Sequence, residues 1–205
     1  MNRLRTILVT ALAGFVLVAC GSAASGSPTG NGQPSQEESQ GTQPSQGGAG
    51  PSFTEGAVTE LEDLIPESAG GVTLNKASMQ GNDYLVSEDA DPATIAFLQD
   101  LGVSPSDVSM AYGIGFSTDL ASGVAVFVFR AAGADSDRLV AAFKSANDAE
   151  SESPLQWSSS NLGGKSIEVA ESGGQTTYLY VKGDTLFFIG ASTEAVAEEI
   201  LADLP

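Results

Sequence analysis

Between residues 53 and 205 the apolar positions follow two rhythms. Val58, Leu61, Leu64 and Ile65 recur at near-helical spacing, as do Ile95, Leu98 and Leu101, then Leu139, Val140 and Phe143, and last Val196, Ile200, Leu201 and Leu204. Each group has a start or stop signal beside it. Ser52 with Glu55 suits a capping box and Pro66 ends the first run; Asp91-Pro92 opens the second and Gly102 closes it; Asp135 or Ser136 caps the third, and Ser192 or Thr193 the last. Four helices are predicted. Val108, Met110, Tyr112, Ile114 and Phe116 instead recur every second residue, with Ser109, Ala111, Gly113, Gly115 and Ser117 between them, which is the period of a strand. One face of that strand is large and apolar and the other nearly bare, open to close approach by a helix or a ligand.

The remaining strands follow from turns and from burial. Residues 124–130 are apolar on both faces except at Arg130, as expected of a central strand. From residue 155 onward the pattern is a meander over 155–161, 165–171, 176–182 and 185–190, separated by Gly163-Gly164, Gly173-Gly174 and Gly183-Asp184, pairs suited to tight hairpins. Gly70-Gly71 leads into a further hairpin through Val72 and Leu74, with a second short strand at 84–86. The expected fold is therefore α+β: an antiparallel sheet of six to eight strands with three to four helices packed on one face. A Gly-Gly opening, a hairpin and a capped helix occur at both 70–146 and 163–204, so an internal duplication is one reading of the pattern.

Upstream the rhythm disappears. Residues 21–51 are Gly, Ser, Pro, Gln, Thr and Asn with Glu37 and Glu38, and no aliphatic side chain larger than alanine; such a stretch cannot bury enough apolar area to offset its ordering entropy. Residues 20–52 read as a tether, and 32 flexible residues have a root-mean-square reach of about 30 Å. Before it, Arg3 and Arg5 precede a 14-residue segment, residues 6–19, that is too short to span a bilayer and has the layout of a secretory signal. The segment ends in Leu17-Val18-Ala19-Cys20. This resembles the lipobox of bacterial lipoproteins, with leucine three residues before the cysteine and a small residue beside it. The resemblance covers residues 1–20. It implies removal of 1–19, a diacylglyceryl thioether on Cys20 and a membrane partner reached through that anchor, on the outer face of the cytoplasmic membrane, or at the outer membrane if the envelope has two. Each buried methylene adds roughly 0.8 kcal/mol, so two or three acyl chains hold where one does not. Residues 53–205 then form a single exported domain.

Composition narrows the chemistry. Cys20 is the only cysteine, so the domain has no disulfide. There is no histidine, which removes Ser-His-Asp and Cys-His catalysis and the usual zinc ligand sets. No catalytic residue, metal site or cofactor is assigned; an enzyme would need paired carboxylates or a serine with a lysine, and Lys144-Ser145 and Lys165-Ser166 read as exposed positions at element ends. Acidic clusters occur at Glu88, Asp89 and Asp91, at Asp135 and Asp137, and at Asp148, Glu150 and Glu152, none with the spacing of a calcium loop. The net charge of −18, with 26 acidic against 8 basic side chains, disfavours nucleic acid and anionic head groups.

One aromatic set stands out: Phe127 and Phe129 share one strand face, Tyr178 and Tyr180 another, and Phe187 and Phe188 lie on opposite faces of the last strand; strands 124–130 and 185–190 are apolar on both sides, so something must cover the second face. Curling of the sheet, or the first helix folding across it, is one answer. An apolar groove for a lipid-like ligand or a partner protein is the other. Lipid-carrying lipoproteins of mycobacterial envelopes are similar in plan, though none of their motifs occurs here. Binding without catalysis is the expected function; a carrier of apolar molecules and a carboxylate hydrolase are the alternatives.

Overall fold

The computed structural model describes residues 53–84, 92–118, 122–150, 155–172 and 175–205. Residues 1–52, with the expected signal, the lipobox-like residues 17–20 and the expected tether, the expected turn at Gly173-Gly174, and the clusters at 88–91 and 152 lie outside these.

Chain order gives α1 (Thr59–Glu62), the two-residue strands β1 (Ser68–Ala69) and β2 (Val72–Thr73), β3 (Asn75–Gln80), α2 (Gly81–Tyr84), α3 (Pro92–Leu101), a 3-10 turn (Pro105–Asp107), β4 (Val108–Phe116) and β5 (Gly123–Ala131). Then come α4 (Ser136–Glu150), β6 (Trp157–Leu162), β7 (Lys165–Ser172), β8 (Gln175–Lys182), β9 (Thr185–Ala191) and α5 (Glu194–Asp203). Seven strands form one antiparallel sheet in the order β3-β4-β5-β9-β8-β7-β6, and β1 and β2 form a small separate hairpin. The α+β class, the strand number and the four-strand meander agree with the sequence pattern. The Gly163-Gly164 turn has φ of 57° and 75°, the left-handed geometry a two-residue hairpin needs.

The helices correct the expectation of a single covered face. Val124, Val126 and Val128 of β5 pack with Leu61, Ile65, Ala197, Ile200 and Leu201, so α1 and α5 lie on one side, here the front. The intervening residues of β5, Phe127, Phe129 and Ala131, pack with Leu98 and Leu101 of α3 and Leu139 and Phe143 of α4 on the back. Because successive strand side chains point to opposite faces, the sheet is the middle layer of three. The described residues hold five α-helices, two of them single turns, against the three to four expected.

This arrangement keeps the strand order that a duplication would give, but not the placement of its helices. β3-β4-β5-α4 and β7-β8-β9-α5 share one order of strands and closing helix, with α2, α3 and the 3-10 turn inserted between β3 and β4, and β5 pairs antiparallel with β9. A two-fold axis relating adjacent antiparallel strands is normal to the sheet and keeps each face. It would put α4 and α5 on the same side, and they are on opposite sides.

Two local expectations also shift. The first helix is one turn rather than a full run to Ile65: past Glu62 the backbone tightens, Leu64 N–H donating to Leu61 O and Ile65 N–H to Glu62 O, before Pro66. Its apolar side is still buried, and so is Glu62 at 8% exposure. Glu62 Oε1 accepts from Gly56 N–H at 2.8 Å and from the Ser78 hydroxyl at 2.5 Å, and that hydroxyl accepts from Val58 N–H at 2.6 Å, tying α1 to β3. Of the strand expected at 84–86, Tyr84 ends α2 and 85–86 lie outside the described residues; the hairpin turning at Gly70-Gly71 pairs β1 with β2, and the outer partner of β4 is β3. β3 offers only Ala77 and Met79 between Lys76, Ser78 and Gln80, too faint an alternation to stand out.

The bare face of β4 is approached as its sequence invites. Ile65, Val72, Thr73 and Leu74 descend on Gly113 and Gly115, and a Cβ on Gly115 would stand 2.4 Å from Thr73 O.

Candidate functional site

The six aromatics do not form one surface. Register pairs Phe127 with Phe188 and Phe129 with Leu186 on the back, and Tyr178 with Ile189 and Tyr180 with Phe187 on the front. On the back, Phe129 meets Phe97 of α3 edge-on at 5.7 Å and Phe188 meets Phe143 of α4 at 5.7 Å. On the front, Phe187 is fully buried and stacks on Tyr180 at 5.6 Å and 27°. Tyr180 donates its hydroxyl to Pro205 O at 2.8 Å, with Lys165 Nζ 5.5 Å from its ring. Burial raises the phenol pKa of Tyr178, with Glu194 adding to it, and burial alone raises that of Tyr180. Both sets serve packing. The cover for the second face is the α1 segment, the β1–β2 hairpin and α5.

What the sequence did not single out is a polar cluster on the back, where α4 ends its coverage and the faces of β6 and β7 begin. Lys144 of α4 reaches Glu168 of β7 at 2.5 Å; the two side chains are only 26% and 25% exposed, so Lys144 is not the simple surface residue its place in the sequence suggested. Ser159 of β6 donates its hydroxyl to the other Glu168 oxygen at 2.6 Å. The Lys144 ammonium lies 5.5 Å from the ring centre of Trp157, whose indole N–H is buried with no acceptor among the described residues. Helix α4 is fixed there by Asp135, which accepts from the backbone N–H of Asp137 at 3.0 Å and of Arg138 at 3.1 Å, so Asp135 acts as a cap. An open cleft of about 460 Å³ runs alongside, with Ser136, Asp137, Val140 and Lys144 on one wall and Ser166, Glu168, Leu179 and Val181 on the other. No local motif joins residues 144, 157, 159 and 168; only the sheet order brings them together.

The chemistry of this cluster is that of a clasp. Hydrogen bonds from Lys144 and then Ser159 hold the Glu168 carboxyl below its ordinary value of 4.5. A general acid needs the opposite shift. Because the folded value is depressed, the stability this carboxylate contributes is complete above 4.5 and is lost as the pH falls through and below it. Lys144→Met therefore lowers stability by about 1 kcal/mol near neutral pH, and the difference from the parent shrinks in acid, as urea melts at the two pH values will read. Asp107 is likewise held low by the Ser104 hydroxyl and backbone N–H in a capping box at the 3-10 turn.

Among the described residues no three acidic, histidine or cysteine side chains gather as metal ligands, and no helix is long and apolar enough to cross a membrane. Compared with family models, with curated proteins and with solved structures, the chain matches none.

Proposed function

We propose that this chain is a bacterial lipoprotein held to the membrane through Cys20, whose folded domain works outside the cytoplasm by surface binding, without catalysis. The observation that carries the reading is Leu17-Val18-Ala19-Cys20 closing a charged and then apolar leader, with a Gly/Ser/Pro/Gln stretch between it and the domain. Binding at the surface is favoured over carrying a lipid inside because helices of the domain itself pack on both sheet faces, and the aromatics that might have lined a groove pack against them. Hydrolysis by paired carboxylates has no support in the Lys144–Glu168 cluster, whose acid is already ion-paired. The experiment is the mass of the amino-terminal peptide of the chain recovered from bacterial membranes. A peptide beginning at Cys20 with a diacylglyceryl thioether is expected. Residues 1–19 still attached and a free thiol would overturn the anchoring and the location together.

A further inference from the structure

The sheet ends in two edges of different character. At β3 the edge is bridged at one position: Thr54 N–H donates to Ser78 O at 2.9 Å, Ser78 N–H donates to Thr54 O at 3.1 Å, and the Phe53 ring packs edge-on to Tyr112 at 5.0 Å. At β6 no described residue pairs with the outer side. Natural proteins guard such an edge with a charge, a proline, a bulge or brevity. β6 has six residues, pairs with β7 in unbroken register from Trp157↔Ala170 to Leu162↔Lys165, and contains no charge and no proline; Ser158 through Asn161 are exposed. A two-residue hairpin closes on a bonded pair, and bonded and non-bonded pairs then alternate. Counting back from Leu162, the N–H and C=O groups of Trp157, Ser159 and Asn161 point away from β7.

We propose that the outer edge of β6 takes an extended, positively charged segment of another protein as an eighth strand, main-chain bonds supplying affinity and alternate side chains selectivity. Charge decides the occupant. The chain carries −18, so a second copy approaches against its own field, whereas a Lys-rich segment is steered in; β6 itself has no cation, and Lys144 beside Trp157 is paired with Glu168. The proposal rests on the domain being a binding module; its failure leaves the membrane anchor, read from the mass of the Cys20 peptide, untouched.

The test is hydrogen exchange by mass spectrometry on the full chain in detergent with the peptide Lys-Val-Thr-Val-Lys-Val-Lys. Exchange over residues 157–162 is expected to slow roughly tenfold when the peptide is at about ten times its dissociation constant, with β3 unchanged. The same peptide with Glu for Lys, and the Lys peptide N-methylated throughout, are expected to leave β6 unprotected. Absence of slowing, or equal slowing by either control, overturns the proposal. So does protection that grows with protein concentration and no peptide, which assigns the edge to a second copy.

Discussion

Phe187→Ala lowers the unfolding free energy of the domain by about 3–5 kcal/mol, the cost of emptying a fully packed aromatic site. Phe187 lies near the middle of β9, between Val128 of β5 and Tyr180 of β8, and has no exposed surface. Its ring stacks on Tyr180, and it belongs to the cluster built from α1, α5 and the front of the sheet, so truncation leaves a gap that several elements must relax to fill. Against a total of about 5–15 kcal/mol for an ordinary domain the loss is severe. Each kcal/mol moves the melting temperature by roughly 2–4 °C at this size, so a fall of roughly 6–20 °C is expected. Phe116→Ala is the comparison. Phe116 ends β4 and is 58% exposed, so its truncation stays within about 0.5 kcal/mol. Thermal and urea melts of the two variants separate them; similar losses would mean that the front of β9 is not where the core is.

The pattern placed both phenylalanines on strands, but it counted Phe116 with the apolar face of β4 and so did not show its exposure. The alternation of 108–116 and the Gly-Gly and Gly-Asp turns of the meander defined β4 and β6 to β9 to within two residues, because side-chain parity and positive φ are local properties. The double apolarity of 124–130 correctly placed β5 in the middle of the sheet. Parity says that both faces are buried, however, and not what buries each. The side on which a helix lands is set by the turn leaving the strand: α4 follows β5 after residues 132–135 and α5 follows β9 after 192–193, and the two end on opposite faces. Parity divides the aromatics correctly, Phe127 and Phe129 on one face, Tyr178 and Tyr180 on another, and Phe187 and Phe188 on opposite faces, but does not say which helix meets each set. The Lys144, Trp157, Ser159 and Glu168 cluster was hidden for a different reason. Its members come from three elements that only the tertiary fold brings together, and neither a lysine within a helix nor a serine in an edge strand is unusual by itself.

Gly115→Val tests the close approach of residues 72–74 to the bare face of β4. On strand propensity alone valine should be the better residue, and glycine inside a strand costs about 0.5–1 kcal/mol relative to alanine. The expected result has the opposite sign: a loss of about 2–3 kcal/mol. A Cβ at this position stands 2.4 Å from the carbonyl oxygen of Thr73, 2.7 Å from Val72 Cγ1 and 3.0 Å from Leu74 Cδ2. The nearest of these is backbone and cannot rotate away, so either the β1–β2 hairpin lifts off the sheet or β4 bends. Lifting exposes Val72 and Leu74, both buried. Gly190, in β9 of the same sheet, has nothing within 4 Å of its own Cβ position. Gly190→Ala is therefore expected to raise stability by about 0.5 kcal/mol. Urea melts of the two variants give the difference directly. If both substitutions stabilised the domain, residues 72–74 would not rest on β4, and the small side chains between Ser109 and Ser117 would need another cause.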